Sequence, residues 1–192
     1  MPSLVGPVLP PGRISDSVQP VLRADGLVLR AWEVDDAAAV VAAYADPDIE
    51  RWHVRSMTSG EATEWILDAE AAWREERAAS WAIQGPGVVV GRMTLKLRPS
   101  HGLAEAAYWT LPTARGRGVA SLALRTATNW AFDIGLHRVE LEHSTQNQPS
   151  CRVAGKAGFS VEGTRQSAGW HGDGWHNMHL HGRVNNLAAT QA

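Results

Sequence analysis

Cysteine is nearly absent. Cys151 is the single thiol in 192 residues, so no internal disulfide can form, which fits a reducing compartment. A charge surplus is missing as well. Eighteen Lys+Arg against 20 Asp+Glu leave a formal net charge of -2, which argues against wholesale binding to nucleic-acid backbone or anionic lipid. No apolar run approaches the roughly 20 residues that span a bilayer. Met1 to Pro20 lacks the basic start and the apolar stretch of about 7–15 residues of a secretory leader. It carries prolines at positions 2, 7, 10, 11 and 20 instead. The expectation is a cytoplasmic protein with no membrane or nucleic-acid partner. A chain of this length, 44% hydrophobic, is close to one domain of about 150 residues and can fold without a metal or disulfide staple.

Positions 1–21 lack periodicity and read as a Pro-rich, flexible N-terminal arm; a domain over 22–184 and a short tail over 185–192 follow. Leu27 to Trp32 reads as the first strand. Asp35 and Asp36 offer N-cap and first-turn carboxylates to an Ala/Val-rich helix that ends before Pro47. Thr58 and Glu61 match a capping box, and Ala62, Trp65, Ile66, Ala69 and Trp73 mark one face of the helix behind it. Gly85-Pro86-Gly87 turns between strand candidates at 80–84 and 88–98, where Met93, Leu95 and Leu97 alternate with polar residues. A strand at 104–111 leads into a glycine-rich turn, then a helix from Val119 stopped by Gly135. After a strand at 138–143 and a short helix at 148–157, a hairpin over 159–184 turns at Gly172-Asp173-Gly174. Strands and helices interleave around one sheet, so the class is α/β (α+β), a single domain on a mixed sheet.

Arg115-Gly116-Arg117-Gly118-Val119-Ala120 is the most informative stretch. Small residues let the backbone approach a ligand, and the first amides of the following helix point outward at its positive end, where phosphate binds naturally. A Walker A loop requires a Lys that this turn lacks. A dinucleotide-binding turn requires a third glycine, and Ser121 stands there. A basic surface turn that binds nothing is the remaining bland alternative.

The turn also fits Arg/Gln-x-x-Gly-x-Gly/Ala, the pyrophosphate loop of the GCN5-related N-acetyltransferase (GNAT) superfamily. The sequence resembles that family elsewhere too. Ala104-Glu105-Ala106-Ala107-Tyr108-Trp109-Thr110-Leu111 is similar to its central strand. Asn147-x-x-Ser150 with Lys156-x-Gly158-Phe159 resembles the signature of its ribosomal-protein (RimJ/RimL-like) branch, and Glu162-Gly163, Arg165 and Gly174-Trp175 continue that branch's closing hairpin. The resemblance runs from about Leu27 to Arg183. It implies a splayed central sheet with helices on both faces and acetyl-CoA as co-substrate between the fourth and fifth strands. Its pyrophosphate would lie on the turn from Arg115 and Gly116 through Arg117, Gly118 and Val119 to Ala120. Its pantetheine arm would pair with the backbone of Trp109, Thr110 and Leu111, with Asn147 and Arg152 on the other side.

The implied reaction moves an acetyl group directly to a primary amine, either a protein N-terminus or a small molecule. Glu105 is the candidate general base, on the face that strand alternation shares with Ala107, Trp109 and Leu111. Its alternative is a solvated carboxylate near a strand end. Ser150 is the candidate general acid, because the Tyr that many relatives carry seven residues after the Asn is Ala154 here. Ser150 could instead cap the short helix. His171 is a substitute for the carboxylate that some relatives place on the last hairpin. Two other readings stay open: a non-catalytic acyl-CoA-binding module, and a transferase using another acyl-CoA such as succinyl-CoA.

His171, His176, His179 and His181 cluster with Asp173, but alternation splits the histidines between two faces, so the expectation is ordinary strand histidines and no metal. Trp65, Trp73 and Trp130 read as core. Trp52, Trp170 and Trp175 read as loop or hairpin residues, where they would form an aromatic acceptor pocket or a homodimer contact.

Overall fold

The structure is a computed structural model, and it describes residues 5–186. Its elements in chain order are β1 (Leu22–Ala24), β2 (Leu27–Arg30), α1 (Ala37–Tyr44), α2 (Pro47–His53), α3 (Ser59–Arg74), β3 (Ala78–Gln84), β4 (Val89–Arg98), β5 (Leu103–Thr110), α4 (Val119–Asp133), β6 (Arg138–Ser144), α5 (Gln148–Lys156), β7 (Ser160–His171) and β8 (Gly174–Val184). The eight strands form one sheet in the order β1-β2-β3-β4-β5-β6-β8-β7. Every neighbouring pair is antiparallel except β5 with β6. That parallel pair needs a crossover, and α4 supplies it.

Local chemistry explains most element boundaries. The Thr58 hydroxyl accepts from the Glu61 amide while the Glu61 carboxylate accepts from the Thr58 amide, closing the capping box of α3. In β4, Met93, Leu95 and Leu97 are buried as their alternation predicts. Two elements differ from the sequence reading. The Ala/Val-rich helix does end before Pro47, at Tyr44, but Pro47 then begins a second helix absent from the sequence reading. Asp46 is the N-cap of α2, its carboxylate accepts from the Ile49 amide at 3.1 Å, and proline suits the first helical turn because its missing N–H has no partner to lose there. Asp25 and Gly26 both adopt positive φ, which makes the two-residue hairpin turn that pairs β1 with β2.

Two apolar clusters cover the sheet. One gathers Leu95, Ala106, Val139 and Leu141 beneath Ala123, Leu124 and Ala127 of α4. The other gathers Val40 and Tyr44 of α1, Ile49 of α2 and Ile66 of α3 around Trp109. Trp73 and Trp130 pack at 6.0 Å between ring centres, as core tryptophans should. Trp170 and Trp175 form an exposed pair instead, and neither lines the cleft described below.

Residues 5–21 are not the free arm that their prolines suggest, and positions 1–4 lie outside the described residues. Leu9 and Ile14 are buried in the larger cluster. The Glu76 carboxylate accepts from the amides of Gly12, Ile14 and Ser15. The indoles of Trp73 and Trp81 donate to the carbonyls of Ser17 and Pro20. Prolines remove backbone donors, so this segment forms no strand of the sheet; side chains hold it in place, together with the amides of Val8 and Leu9, which donate to the carbonyls of Ser100 and Pro99. Of the C-terminal tail, positions 187–192 lie outside the described residues.

Candidate active site

The site begins where two strands part. The β5–β6 register runs only from Leu103↔Arg138 to Ala106↔Leu141. Beyond that point β5 stays paired with β4 as far as Thr110, and β6 stays paired with β8 as far as Ser144. The sheet splays there into a cleft of about 720 Å³. The Leu111 amide donates to the Val90 carbonyl, so odd-numbered residues here direct their backbone groups at β4. Tyr108 and Thr110 therefore turn theirs into the gap. Of the expected trio Trp109, Thr110 and Leu111, only Thr110 faces the cleft through its backbone, and Tyr108 joins it.

The glycine turn closes one end of the cleft. Gly116 and Gly118 have φ of +76° and +79°, a region that costs other residues about 1–2 kcal/mol. Gly118 is the N-cap of α4 and offers no side-chain acceptor, so the helix presents uncapped amides from Val119 and Ala120 toward the cleft. Arg115 is less available than its sequence position suggested. Its guanidinium bridges Asp46 and Asp48 at the start of α2, with 2.7 Å to Asp48, and its Nε donates to the Thr110 carbonyl. Despite the upward push of burial, that guanidinium holds the Asp46 carboxyl below the usual range. Arg115 thus tethers the turn to α2, while the exposed Arg117 shows no ion pair among the described residues. An uncapped helix start, two glycines at positive φ and a strand gap offering backbone groups fit a pyrophosphate joined to a pantetheine arm.

Asn147 and Ser150 fall at the mouth of the gap, both lining it with Arg152. Asn147 is the N-cap of α5, its side-chain oxygen accepting from the Ser150 amide at 3.1 Å. Because Asn147 caps the helix, the Ser150 hydroxyl does not. It lies 2.7 Å from the Tyr108 hydroxyl, and burial pushes the Tyr108 pKa up to about 12. Tyr108 was not singled out from the sequence. Its place in the central strand was visible, but its pairing across 42 positions of sequence was not.

Glu105 lines the cleft near the last paired rung of β5 and β6, its carboxylate 2.7 Å from Lys96 Nζ. The opposite wall comes from α2, which contributes Ile49, Trp52 and His53, and from the hairpin, which contributes His171 and Met178. His53 Nε2–H donates to the Tyr108 carbonyl at 3.1 Å; burial, with Arg92 nearby, lowers its pKa to about 4. It therefore stands neutral with Nδ1 as its lone-pair nitrogen. His171 is buried, stacked on His176 at 4.3 Å and edge-on to Trp52. His176 is held by the Ser144 hydroxyl and Asp173, each at 2.8 Å. Trp52, named from the sequence as a candidate pocket wall in a loop or hairpin region, lines the cleft from α2; His53 escaped the sequence reading because α2 itself did.

Known proteins share this fold. A family model described as "Acetyltransferase (GNAT) domain" matches residues 26–160. The chain belongs to this acetyltransferase family. Among curated relatives, an uncharacterized N-acetyltransferase, YoaA of Bacillus subtilis, is 29% identical over 150 residues, covering 75% of this chain and 85% of that protein. Among solved structures, Mycobacterium smegmatis RimJ in complex with CoA-disulfide superposes with a TM-score of 0.77 at 24% identity, covering 90% of this chain and 89% of that one. An acetyltransferase from Salmonella typhimurium, described as modifying the N-terminal serine of ribosomal protein L7/L12, superposes with a TM-score of 0.79 at 18% identity, covering 87% of this chain and all (100%) of that one. The GNAT fold and acyltransferase class follow from the family. No helix among the described residues is long and apolar enough to cross a membrane.

Proposed function

We propose that this acetyltransferase moves an acetyl group from acetyl-CoA directly onto a primary amine, with both substrates bound together in the splayed cleft. The observation that carries the reading is the Ser150–Tyr108 hydroxyl pair set in the gap between β5 and β6. Attack of the amine on the thioester carbonyl forms the C–N bond and places negative charge on the carbonyl oxygen. The Thr110 and Tyr108 amides, turned into the gap, are the backbone donors positioned to meet it. The amine gives up its proton to Glu105, directly or through one water. Collapse breaks the C–S bond, and the departing thiolate takes a proton from Ser150. Tyr108, neutral at pH 7 with its pKa at about 12, replaces that proton through the 2.7 Å hydrogen bond, then regains its own from solvent as Glu105 releases the amine's proton to solvent.

Direct transfer is supported by the location of the one thiol. Cys151 is not among the residues that line the cleft, so no cysteine is placed to carry the acetyl group between substrates. The pyrophosphate would rest on the amides of Gly118 to Ala120 beside Arg117, and Arg115 would hold the turn against α2. Trp52, His53 and His171 form the wall facing the amine.

A CoA-release assay over a panel of small amines and peptides tests this. Turnover with a primary amine, cut about a hundredfold in Ser150→Ala while acetyl-CoA still binds, is the expected result. Tight acetyl-CoA binding with no release of CoA to any amine would overturn it in favour of a binding module. Turnover only with succinyl-CoA would correct the donor.

A further inference from the structure

Four metal-ligating side chains meet beneath the first turn of α5. His143 of β6 and His179 of β8 are cross-strand partners, and His181 lies opposite Leu141 two residues along. All three project from the same face of the sheet, because 179 and 181 share parity and His143 is in register with His179. Cys151 reaches down from α5 onto that face. One donor atom from each of His143, Cys151, His179 and His181 lies within 4.8 Å of every other. The sequence grouped His179 and His181 with His171 and His176. The fold separates those pairs and supplies His143 and Cys151 in their place.

The hydrogen bonding inside the cluster leaves donors over. His143 Nδ1–H donates to the Ser144 carbonyl at 2.8 Å, which fixes the tautomer and leaves Nε2 as the lone-pair nitrogen. A backbone carbonyl on the far ring nitrogen is the usual outer partner of a metal-bound histidine. His143 Nε2 lies 3.0 Å from His181 Nε2. The Nδ1 atoms of His179 and His181 are buried with no partner, and His181 as a whole is only 1% exposed. A tetrahedral ion with metal–nitrogen bonds near 2.0–2.1 Å sets its ligand nitrogens about 3.3 Å apart. The donors therefore lie within roughly 1.5 Å of those separations.

We propose that His143, Cys151, His179 and His181 form a tetrahedral site for a borderline-soft divalent transition metal, of which Zn²⁺ is the best match. Three imidazoles and one thiolate suit such an ion and not a hard, oxygen-seeking one. Cys151 would bind as the thiolate, releasing its proton to solvent. The ion would fasten the start of α5, and with it Ser150, to β6 and β8. The site does not depend on the proposed acceptor or donor.

Untagged full-length protein, stripped with chelator and kept reduced, is titrated anaerobically with Co²⁺ alone. The expected result is one Co²⁺ per chain, intense visible bands of tetrahedral cobalt and a near-ultraviolet thiolate-to-cobalt band, all bleached by one equivalent of Zn²⁺. Cys151 is the only thiol, so that near-ultraviolet band reports it alone. Cys151→Ser should abolish the band, and His181→Gln should weaken uptake about tenfold or more with unchanged circular dichroism. If His181→Gln does not fold, the half-buried His179→Gln serves the same comparison. Absence of stoichiometric uptake, a thiolate band that survives Cys151→Ser, or unchanged affinity in the folded histidine variant would each overturn the proposal and leave a hydrogen-bonded imidazole cluster.

Discussion

Ser150 and Tyr108 are fixed by different forces. Ser150 is placed by the Asn147 cap and Tyr108 by the central strand, and their hydroxyls meet at 2.7 Å. Removing the serine hydroxyl should lower kcat by about 10² while leaving the KM for acetyl-CoA within about twofold, measured by steady-state CoA release. Tyr108→Phe should reduce kcat less, because Ser150 can still donate once and regain its proton from water. Glu105→Gln should also act on kcat, and an unchanged rate would remove Glu105 as the base. His53 predicts a pH effect on stability. Its pKa is lowered from 6.5 to about 4 in the folded chain, so below pH 6.5 the unfolded chain binds a proton that the folded chain refuses. Its contribution to stability is therefore complete above pH 6.5 and lost as pH falls toward 4, by up to about 1.4 kcal/mol per pH unit. Burial of His143 and His181 acts in the same direction, so urea denaturation of wild type against His53→Gln between pH 7 and 4 isolates the His53 share.

At the scale of elements, α2 and the glycine turn behave as one unit. Asp46 caps α2 and also grips Arg115, which in turn holds the Thr110 carbonyl. Asp46→Ala should cost about 1 kcal/mol from the lost cap and should raise the KM for acetyl-CoA severalfold, as the turn loses its tether. Gly118→Val adds a β-branched side chain at φ +79°, so it should lower stability by about 1–2 kcal/mol and abolish acetyl-CoA binding in calorimetry. Retention of normal binding would remove the turn from the cofactor site. The turn was legible because its glycines and following amphipathic helix are contiguous. Helix α2, to which Arg115 ties the turn, was not, since Pro47 carries opposite meanings inside a helix and at its first residue, and only the Asp46 hydrogen bond separates them.

For the whole molecule, the N-terminal segment is part of the core rather than an appendage. Ile14→Ala should destabilise by about 2–4 kcal/mol in thermal or urea unfolding, the range for emptying a buried aliphatic site. A truncation starting at Val21 should cost more, because Glu76 and the indoles of Trp73 and Trp81 would lose their partners together. A free arm would leave both variants as stable as the full chain. Proline content made the segment look detached, since it marks the lack of regular hydrogen bonding and says nothing about side-chain anchoring.

The sequence alone determined the strand and helix order from β2 onward with α2 excepted, the buried face of β4, the cap of α3 and the glycine turn that opens α4. Each of these rests on spacing along a few neighbouring residues, where periodicity and capping chemistry act locally. Only the tertiary structure decided that Tyr108 faces Ser150, that Arg115 answers to Asp46 and Asp48, and that His143 and Cys151 join His179 and His181. Those meetings depend on where β5 leaves β6 and on how α5 and the last hairpin pack across the sheet. Such long-range contacts are set by the summed packing of the core, which no short window of residues encodes.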